Sequence, residues 1–400
     1  MNLELLRELA VPNDTKILLL VIDGLGGLPN ESGRSELEQA HVPHLDRLAQ
    51  ESMCGLTIPV APGVTPGSGP GHLGLFGYDP LEYRVGRGVL EALGIDFDLQ
   101  PSDVAARGNF CTVDADGRIT DRRAGRIATE ENAARCALLR QIKLPGVQVF
   151  VEPVREHRFL LVLRGEGLSE RLSETDPQRE GAVPLHVRAL APEAEATAAL
   201  FNEFVSQARK ILAPHPPANM LTLRGLAKRP PMPSIAETCG FRAAAIAAYP
   251  MYRGLAKLVG MDVIKTGATF ADEVETLKAN WDNYDFFFIH FKGADSAGED
   301  GDFQSKMRAL EEIDGYIDEL HALQADVFMV AGDHSTPAVM AGHSWHPVPF
   351  LFHAKTLARH DVTEGFNERA CKNGVLGTFP ARDVLSLAMA HAGRLTKFGA

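Results

Sequence analysis

Four short apolar runs punctuate the chain, and three of them stop at a turn that carries an acid. Ile17–Ile22 ends at Asp23-Gly24, Asp285–Phe291 ends in Lys292-Gly-Ala-Asp295, and Asp326–Val330 runs into Ala-Gly-Asp333-His334; the fourth is Val348–His353. Apolar runs of this length without alternation are typical of strands buried on both faces. Between them lie stretches with helical spacing, such as Phe303 to Leu323 and Ala381 to Ala392. Strand–helix–strand alternation predicts an α/β fold, with helices on both faces of a mostly parallel sheet. In open α/β sheets the site forms outside the carboxyl ends of the strands. Asp23, Asp295 and Asp333, distant in sequence, are therefore expected to converge on one edge.

The middle of the chain reads differently. From about Pro80 to Arg224 the strands are shorter (Val104 to Val113, Arg158 to Leu163), Arg-Gly pairs recur, and Pro214–Pro217 and Pro230–Pro233 look like connections. A chain of 400 residues also exceeds the roughly 250–300 that one core supports. The expected organisation is a core made of 1–80 and 226–400, interrupted by a smaller inserted α+β domain at 81–225 that binds substrate.

Composition narrows the function. A formal net charge of −12 argues against a nucleic-acid partner, while a local arginine cluster still suits a small anion. The five cysteines, Cys54, Cys111, Cys136, Cys239 and Cys371, form no CxxC pair, so neither a disulfide framework nor a thiolate zinc site is expected, and a reducing compartment fits. The first residues lack a signal-peptide pattern, and Ile17–Ile22 is far shorter than the ~20 residues of a membrane span. The expectation is a cytoplasmic protein with no membrane partner.

The candidate chemistry begins at Thr65-Pro-Gly-Ser68-Gly-Pro-Gly-His72. A serine ahead of an apolar helical pattern lies near a helix N-terminus, which favours an anion. Its hydroxyl needs a base or a metal to become a nucleophile; an ordinary helix cap is the competing reading. Asp295-Ser-Ala-Gly-Glu299-Asp-Gly-Asp302, Gly332-Asp333-His334 and His343-Ser-Trp-His346 supply acids and imidazoles. Adjacent Asp and His after a buried strand bring a desolvation cost that a cation offsets. Mixed carboxylate and imidazole donors suit zinc or manganese, and paired metals serve phosphoryl transfer. Asp300 reads as solvated, Asp302 as a helix cap and His346 as an edge histidine. Arg84, Arg87, Arg107, Arg122, Arg123, Arg126, Arg164 and Arg179 offer forks for phosphate or carboxylate, and a few of them are expected to touch substrate.

These residues carry a family resemblance. Asp23-Gly, Ser68-x-x-x-His72-Leu, Tyr78-Asp-Pro80, Gly86-Arg-Gly88, Arg123-Ala-Gly-Arg126, Leu163-Arg-Gly-Glu-Gly-Leu168, Glu174-Thr-Asp-Pro177, Gly332-Asp-His-Ser-Thr-Pro337 and Pro347-Val-Pro349 are placed as in the archaeal-type cofactor-independent phosphoglycerate mutases of the alkaline phosphatase superfamily. The chain resembles that family from about residue 16 to 392. The resemblance implies an alkaline-phosphatase-like core that interconverts 2-phosphoglycerate and 3-phosphoglycerate, in glycolysis and gluconeogenesis, through a phosphoserine at Ser68. It implies two divalent ions (Mn²⁺, Mg²⁺ or Zn²⁺) and no need for 2,3-bisphosphoglycerate. One ion would be held by Asp23, Ser68, Asp333 and His334, the other by Asp295, Glu299 and His343. Arg107, Arg123, Arg126, Arg164 and Asp176 of the inserted domain, with Arg253 of Tyr252-Arg-Gly254, would hold substrate. Asp176 is also an option for moving the proton, and a homo-oligomer is compatible.

Two positions depart from the family. Relatives often carry His where this chain has Glu299, and the added negative charge predicts a bias toward harder ions such as Mn²⁺ or Mg²⁺. Gly69-Pro70 replaces more polar residues and predicts a stiffer loop after the serine. The rival readings are a metal-dependent phosphomonoesterase, a homoserine-kinase-like relative, which the lack of a Walker-type motif disfavours, and a non-catalytic homologue, whose mark would be lost ligands.

Overall fold

The computed structural model describes residues 2–356, 358–360 and 363–399. They form two compact units: one from the residues up to Arg84 together with those from Met232 onward, the other from Val85–Pro231. Among the described residues the strands are, in chain order, β1 (Ile17–Ile22), β2 (Met53–Ile58), β3 (Asp103–Val113), β4 (Ile119–Asp121), β5 (Gln148–Arg155), β6 (Arg158–Arg164), β7 (Met220–Ala227), β8 (Ala243–Ile246), β9 (Asp262–Val263), β10 (Phe286–Phe291), β11 (Val327–Ala331), β12 (Val348–Ala354) and β13 (Gly377–Pro380).

In the first unit eight strands make one sheet in the order β13-β2-β12-β11-β1-β10-β8-β9. Only β12 runs against its neighbours; the other pairings are parallel, as the α/β pattern predicts. β1 is central, and all six of its residues are fully buried. Leu18, Leu20 and Ile22 pack in one core with Val274 and Leu277 of the helix Phe270–Ala279 and with Leu310 and Ile313 of the helix Phe303–Asp314. Each such side chain contributes about 2 kcal/mol.

β11, β1, β10 and β8 are consecutive and parallel, so the segments that follow them emerge on the same edge of the sheet. This order brings residues near 23, 250, 295 and 333 together. The helical stretch read from Phe303 to Leu323 is two helices, Phe303–Asp314 and Ile317–His321. The break falls at Gly315, a residue that costs helix stability. The stretch from Ala381 opens as a 3₁₀ turn before the helix Val384–His391. β2 and β8 carried no clear pattern, because Gly55 interrupts the first and the second is mostly alanine.

The second unit is an antiparallel sheet built around β3, which pairs with β6, β7 and β4, while β5 pairs with β6. Val104, Ala106 and Phe110 of β3 share a core with Phe159, Leu161 and Leu163 of β6 and with Phe201 and Phe204 of the helix Glu195–Leu212. Side chains alternate along a strand, so Arg107, Arg158 and Arg224 belong to the opposite face.

Candidate active site

Asp23 directly follows β1, Asp295 lies on the helix Gly293–Glu299 after β10, and Asp333 and His334 follow β11. Gly24 turns the chain with φ +68°, a left-handed conformation that favours glycine. Ser68 opens the helix Ser68–Leu75. A Cβ on Gly71 would sit 2.0 Å from the Asp333 carbonyl oxygen, so glycine lets that helix rest on the Asp333 loop. Gly67, rather than Ser68, takes the cap position. The Ser68 hydroxyl is therefore not spent on capping; Oγ lies 3.1 Å from His334 Nε2, and the residue is half-buried.

Two groups of donors stand side by side. Asp23, Asp333 and His334 form one, and Asp295, His334 and His343 the other; within each, one donor atom per residue lies within 4.8 Å of the rest. His334 belongs to both. Its Nε2 is 3.4 Å from Asp23 Oδ1 and 3.2 Å from Asp333 Oδ2, and its Nδ1 is 2.9 Å from Thr336 Oγ1. His343 stacks on His334 with ring centroids 3.7 Å apart, and its Nε2 is 3.5 Å from Asp295 Oδ1 and 3.5 Å from Glu299 Oε1. The Pro66 carbonyl, 2.9 Å from His343 Nδ1, orients that ring and leaves Nε2 toward the acids. Glu299 borders the second group on an exposed side chain.

Asp23 Oδ1 and Asp333 Oδ2 are buried and receive no well-formed hydrogen bond; they face imidazole nitrogens, His334 Nε2 at 3.4 and 3.2 Å and, for Asp333, His72 Nδ1 at 3.1 Å. Buried carboxylate oxygens left this way are costly, and a cation satisfies them. Oxygen and imidazole donors at this spacing fit a divalent ion in each group.

Further residues complete the site. Lys292 Nζ donates to Asp23 Oδ2 at 2.9 Å and also to Asp295 Oδ2, so one ammonium spans both groups. The Tyr252 hydroxyl donates to Asp23 Oδ2, and the His290 ring stacks on Tyr252 at 3.7 Å with Nε2 3.2 Å from the same oxygen. Burial pushes the Asp23 carboxyl up, but Lys292 and the imidazoles of His290 and His334 hold it well below the usual range. Burial and the charge of Asp23 also raise Asp295, yet His343, Lys292 and His334 bring it to about 2. Burial opposes protonation of His343, but Asp295, Glu299 and the Pro66 carbonyl raise it to about 10. Lys292, Tyr252 and His290 escaped the sequence reading. Lys292 and His290 did leave a signal, as polar residues at the end of a buried apolar run, the rule that found the acids.

The second unit gathers positive charge. Arg107 and Arg224 are direct partners across β3 and β7, and Arg107 Nε and Arg224 Nε are buried without a hydrogen-bond acceptor. Like charges placed opposite one another destabilise a sheet. Burial, together with Arg158, Arg87 and Arg224, lowers Arg107 to about 10 despite Glu91. His157 feels the same field: burial and Arg158, Arg107, Arg123 and Arg126 push it down to about 3. Arg123 and Arg126 are exposed, flanking a short turn. Arg164 lies apart, forked onto Asp103 with two contacts of 2.7 Å. Asp176 accepts from Arg122 at 2.9 Å and lies 3.7 Å from Arg224. Arg253 is half-buried on the helix Pro250–Leu258 of the first unit, next to Tyr252.

Comparison with known proteins identifies the family and the fold. The pattern defining the family described as 2,3-bisphosphoglycerate-independent phosphoglycerate mutase matches residues 49–218. A protein of Thermosipho melanesiensis, named "probable 2,3-bisphosphoglycerate-independent phosphoglycerate mutase", is 49% identical over 399 residues, covering 99% of each chain. A protein of the same name from Thermus thermophilus is 48% identical over 99% of this chain and 98% of its own. Among solved structures, a cofactor-independent phosphoglycerate mutase from Thermoplasma acidophilum superposes with a TM-score of 0.70 at 31% identity, covering 95% of this chain and all of its own. A Pyrococcus horikoshii protein gives 0.84 at 29% identity, over 97% of this chain and all of its own.

Proposed function

Because the chain belongs to the 2,3-bisphosphoglycerate-independent phosphoglycerate mutases, we propose that it interconverts 2-phosphoglycerate and 3-phosphoglycerate through a phosphoserine formed on Ser68. The enzyme is an isomerase. The observation that carries the phosphoserine route is the uncapped Ser68 hydroxyl, at a helix N-terminus and 3.1 Å from His334 Nε2.

Asp23, Asp333 and His334 would hold one divalent cation together with Ser68, and Asp295, His343 and Glu299 a second, with Mn²⁺ the ion that best suits the donors. Such cations, when bound, would lower the pKa of the serine hydroxyl and neutralise charge on the transferring phosphoryl oxygens. Ser68 Oγ forms a bond to phosphorus as the bond from phosphorus to the substrate oxygen breaks; that oxygen gains a proton and Ser68 loses one. The reverse step, onto the other hydroxyl of glycerate, restores Ser68, so no proton is consumed overall. Lys292 keeps a positive charge between the groups. The arginines at 107, 123, 126 and 224 are assigned to the substrate's phosphate and carboxylate: Arg107 and Arg224 because each has a buried Nε without a hydrogen bond, Arg123 and Arg126 because they are exposed and add to the same positive field around His157. The activity belongs to glycolysis and gluconeogenesis.

The test is an enolase-coupled assay on 3-phosphoglycerate without bisphosphoglycerate, run with Mn²⁺ and with chelator, on wild type and Ser68→Ala. Metal-dependent turnover lost in Ser68→Ala, by about 10³-fold or more, is the expected result. Metal-dependent release of free phosphate without isomerisation would instead assign the site to a phosphomonoesterase.

A further inference from the structure

Beneath the metal-ligand groups lies a buried charged cluster that the chemistry above does not use. Lys306, on the helix Phe303–Asp314, and Glu36, on the helix Glu36–Gln39, are fully buried. Lys306 Nζ donates to the carbonyl oxygens of Gly26 at 2.8 Å and Thr336 at 2.9 Å. Gly26 belongs to the loop that carries Asp23, and Thr336 to the loop that carries Asp333 and His334. Glu36 bridges the same two loops with the opposite charge: Oε2 accepts from Leu28 N–H at 3.2 Å and Oε1 from Ala338 N–H at 2.7 Å. Glu368 adds a hold on the first loop by accepting from Gly27 N–H at 2.8 Å, and it accepts from the Ser35 hydroxyl at 2.6 Å.

The second loop is the one that matters for geometry. Thr336, whose carbonyl Lys306 grips, donates its hydroxyl to Asp295 Oδ1 at 2.7 Å and lies 2.9 Å from His334 Nδ1. A shift of Thr336 therefore moves one donor of each candidate metal group. Burying charge is expensive, and an apolar replacement of similar volume often folds as well or better. A lysine and a carboxylate that both bridge the same two loops make more sense as a device that sets the spacing of those loops than as a source of stability.

We propose that Lys306 and Glu36 are positioning residues that hold the Asp23 loop and the Asp333–Thr336 loop at the separation the cations require. The proposal rests on the reading of the two donor groups as metal sites. Residues behind metal ligands typically change metal affinity by roughly 10–100-fold when lost.

The test compares Mn²⁺ affinity by calorimetry, and the visible spectrum of Co²⁺-loaded protein, in wild type, Lys306→Met, the double variant Lys306→Met/Glu368→Gln and Leu310→Ala. The double variant removes a negative charge along with the positive one. It carries the test if Lys306→Met alone fails to fold, since the side-chain amide introduced by Glu368→Gln can still accept from Gly27 N–H and donate to the Ser35 hydroxyl. Leu310, one turn further along the same helix and fully buried, serves as the control for plain destabilisation. The expected result is Mn²⁺ binding weakened about 10–100-fold and an altered Co²⁺ spectrum in the lysine variants, with the Leu310→Ala spectrum and affinity like wild type. Folded lysine variants that bind Mn²⁺ as tightly as wild type overturn the positioning role. A wild type that binds no divalent ion overturns the metal reading itself, and the proposal with it.

Discussion

Arg107 and Arg224 stand directly opposite one another in neighbouring strands, each with a buried Nε that makes no hydrogen bond and only a longer ion pair, to Glu91 at 3.4 Å for Arg107 and to Glu174 and Asp176 at 3.6 and 3.7 Å for Arg224. A sheet gains nothing from that pairing, and an anion between the two guanidinium groups removes both the repulsion and the unmet donors. Arg224→Met is therefore expected to raise KM for 3-phosphoglycerate about tenfold or more and to leave Mn²⁺ affinity unchanged, while Asp176 keeps its bond to Arg122. An unchanged KM in a folded variant would remove this face from the substrate site.

Glu273 gives a prediction for pH. It is buried, its Oε1 accepts from Ala248 N–H at 2.8 Å, and burial raises its carboxyl to about 8. The folded state thus keeps a proton that the unfolded chain releases near the ordinary value. Stability contributed by the neutral acid is full below about 4.5 and is lost as pH rises toward about 8, on the order of a few kcal/mol across that window. Glu273→Gln, which retains an oxygen for Ala248, is expected to flatten the slope: its melting temperature should match wild type near pH 4 and exceed it at pH 8.5. Parallel pH profiles for the two proteins would show that Glu273 is not the group responsible.

Position 299 sets a prediction for the metal. Glu299 Oε1 is 3.5 Å from His343 Nε2 on an exposed side chain, and the contact with His343 holds its carboxyl below the usual range. Glu299→Ala should weaken one of two Mn²⁺ binding events about tenfold, and Glu299→His should move the preference from Mn²⁺ toward Zn²⁺. Titrations of both ions into each variant decide the matter; a metal-dependent activity indifferent to Glu299→Ala would exclude the side chain as a ligand.

Lys292 predicts how the protein responds to metal removal. Its ammonium touches Asp23 and Asp295 and is mostly buried. Lys292→Met leaves these carboxylates without that charge, so the chelated protein should lose about 2 kcal/mol while the Mn²⁺-loaded protein loses less. The gap in melting temperature between chelated and loaded forms should widen. An equal loss in both forms would mean that Lys292 and the cations do not share those oxygens.

Part of this site was legible without coordinates. Ile17–Ile22 and Phe286–Phe291 declare themselves as buried strands because burial on both faces requires unbroken apolar residues, and the acids that end such runs are conspicuous for their cost. His343 stood out in the His343-Ser-Trp-His346 cluster, whereas a ligand role for Glu299 followed only from the family resemblance. Tyr252 carried no signal, since an aromatic residue in a helix is usually core, and its bond to Asp23 spans 229 positions.

The sequence by itself determined that β1, β10, β11 and β12 are strands, which acids follow the first three of them, and the order of motifs that marks the family. Those are properties of local patterning and of the chain's own register. The tertiary structure decided that β11, β1, β10 and β8 lie side by side, that His334 is common to both donor groups, and that Arg107 faces Arg224. Strand order and cross-strand register come from pairings between distant segments, and the energy of those pairings depends on every neighbour packed around them rather than on any one stretch of residues.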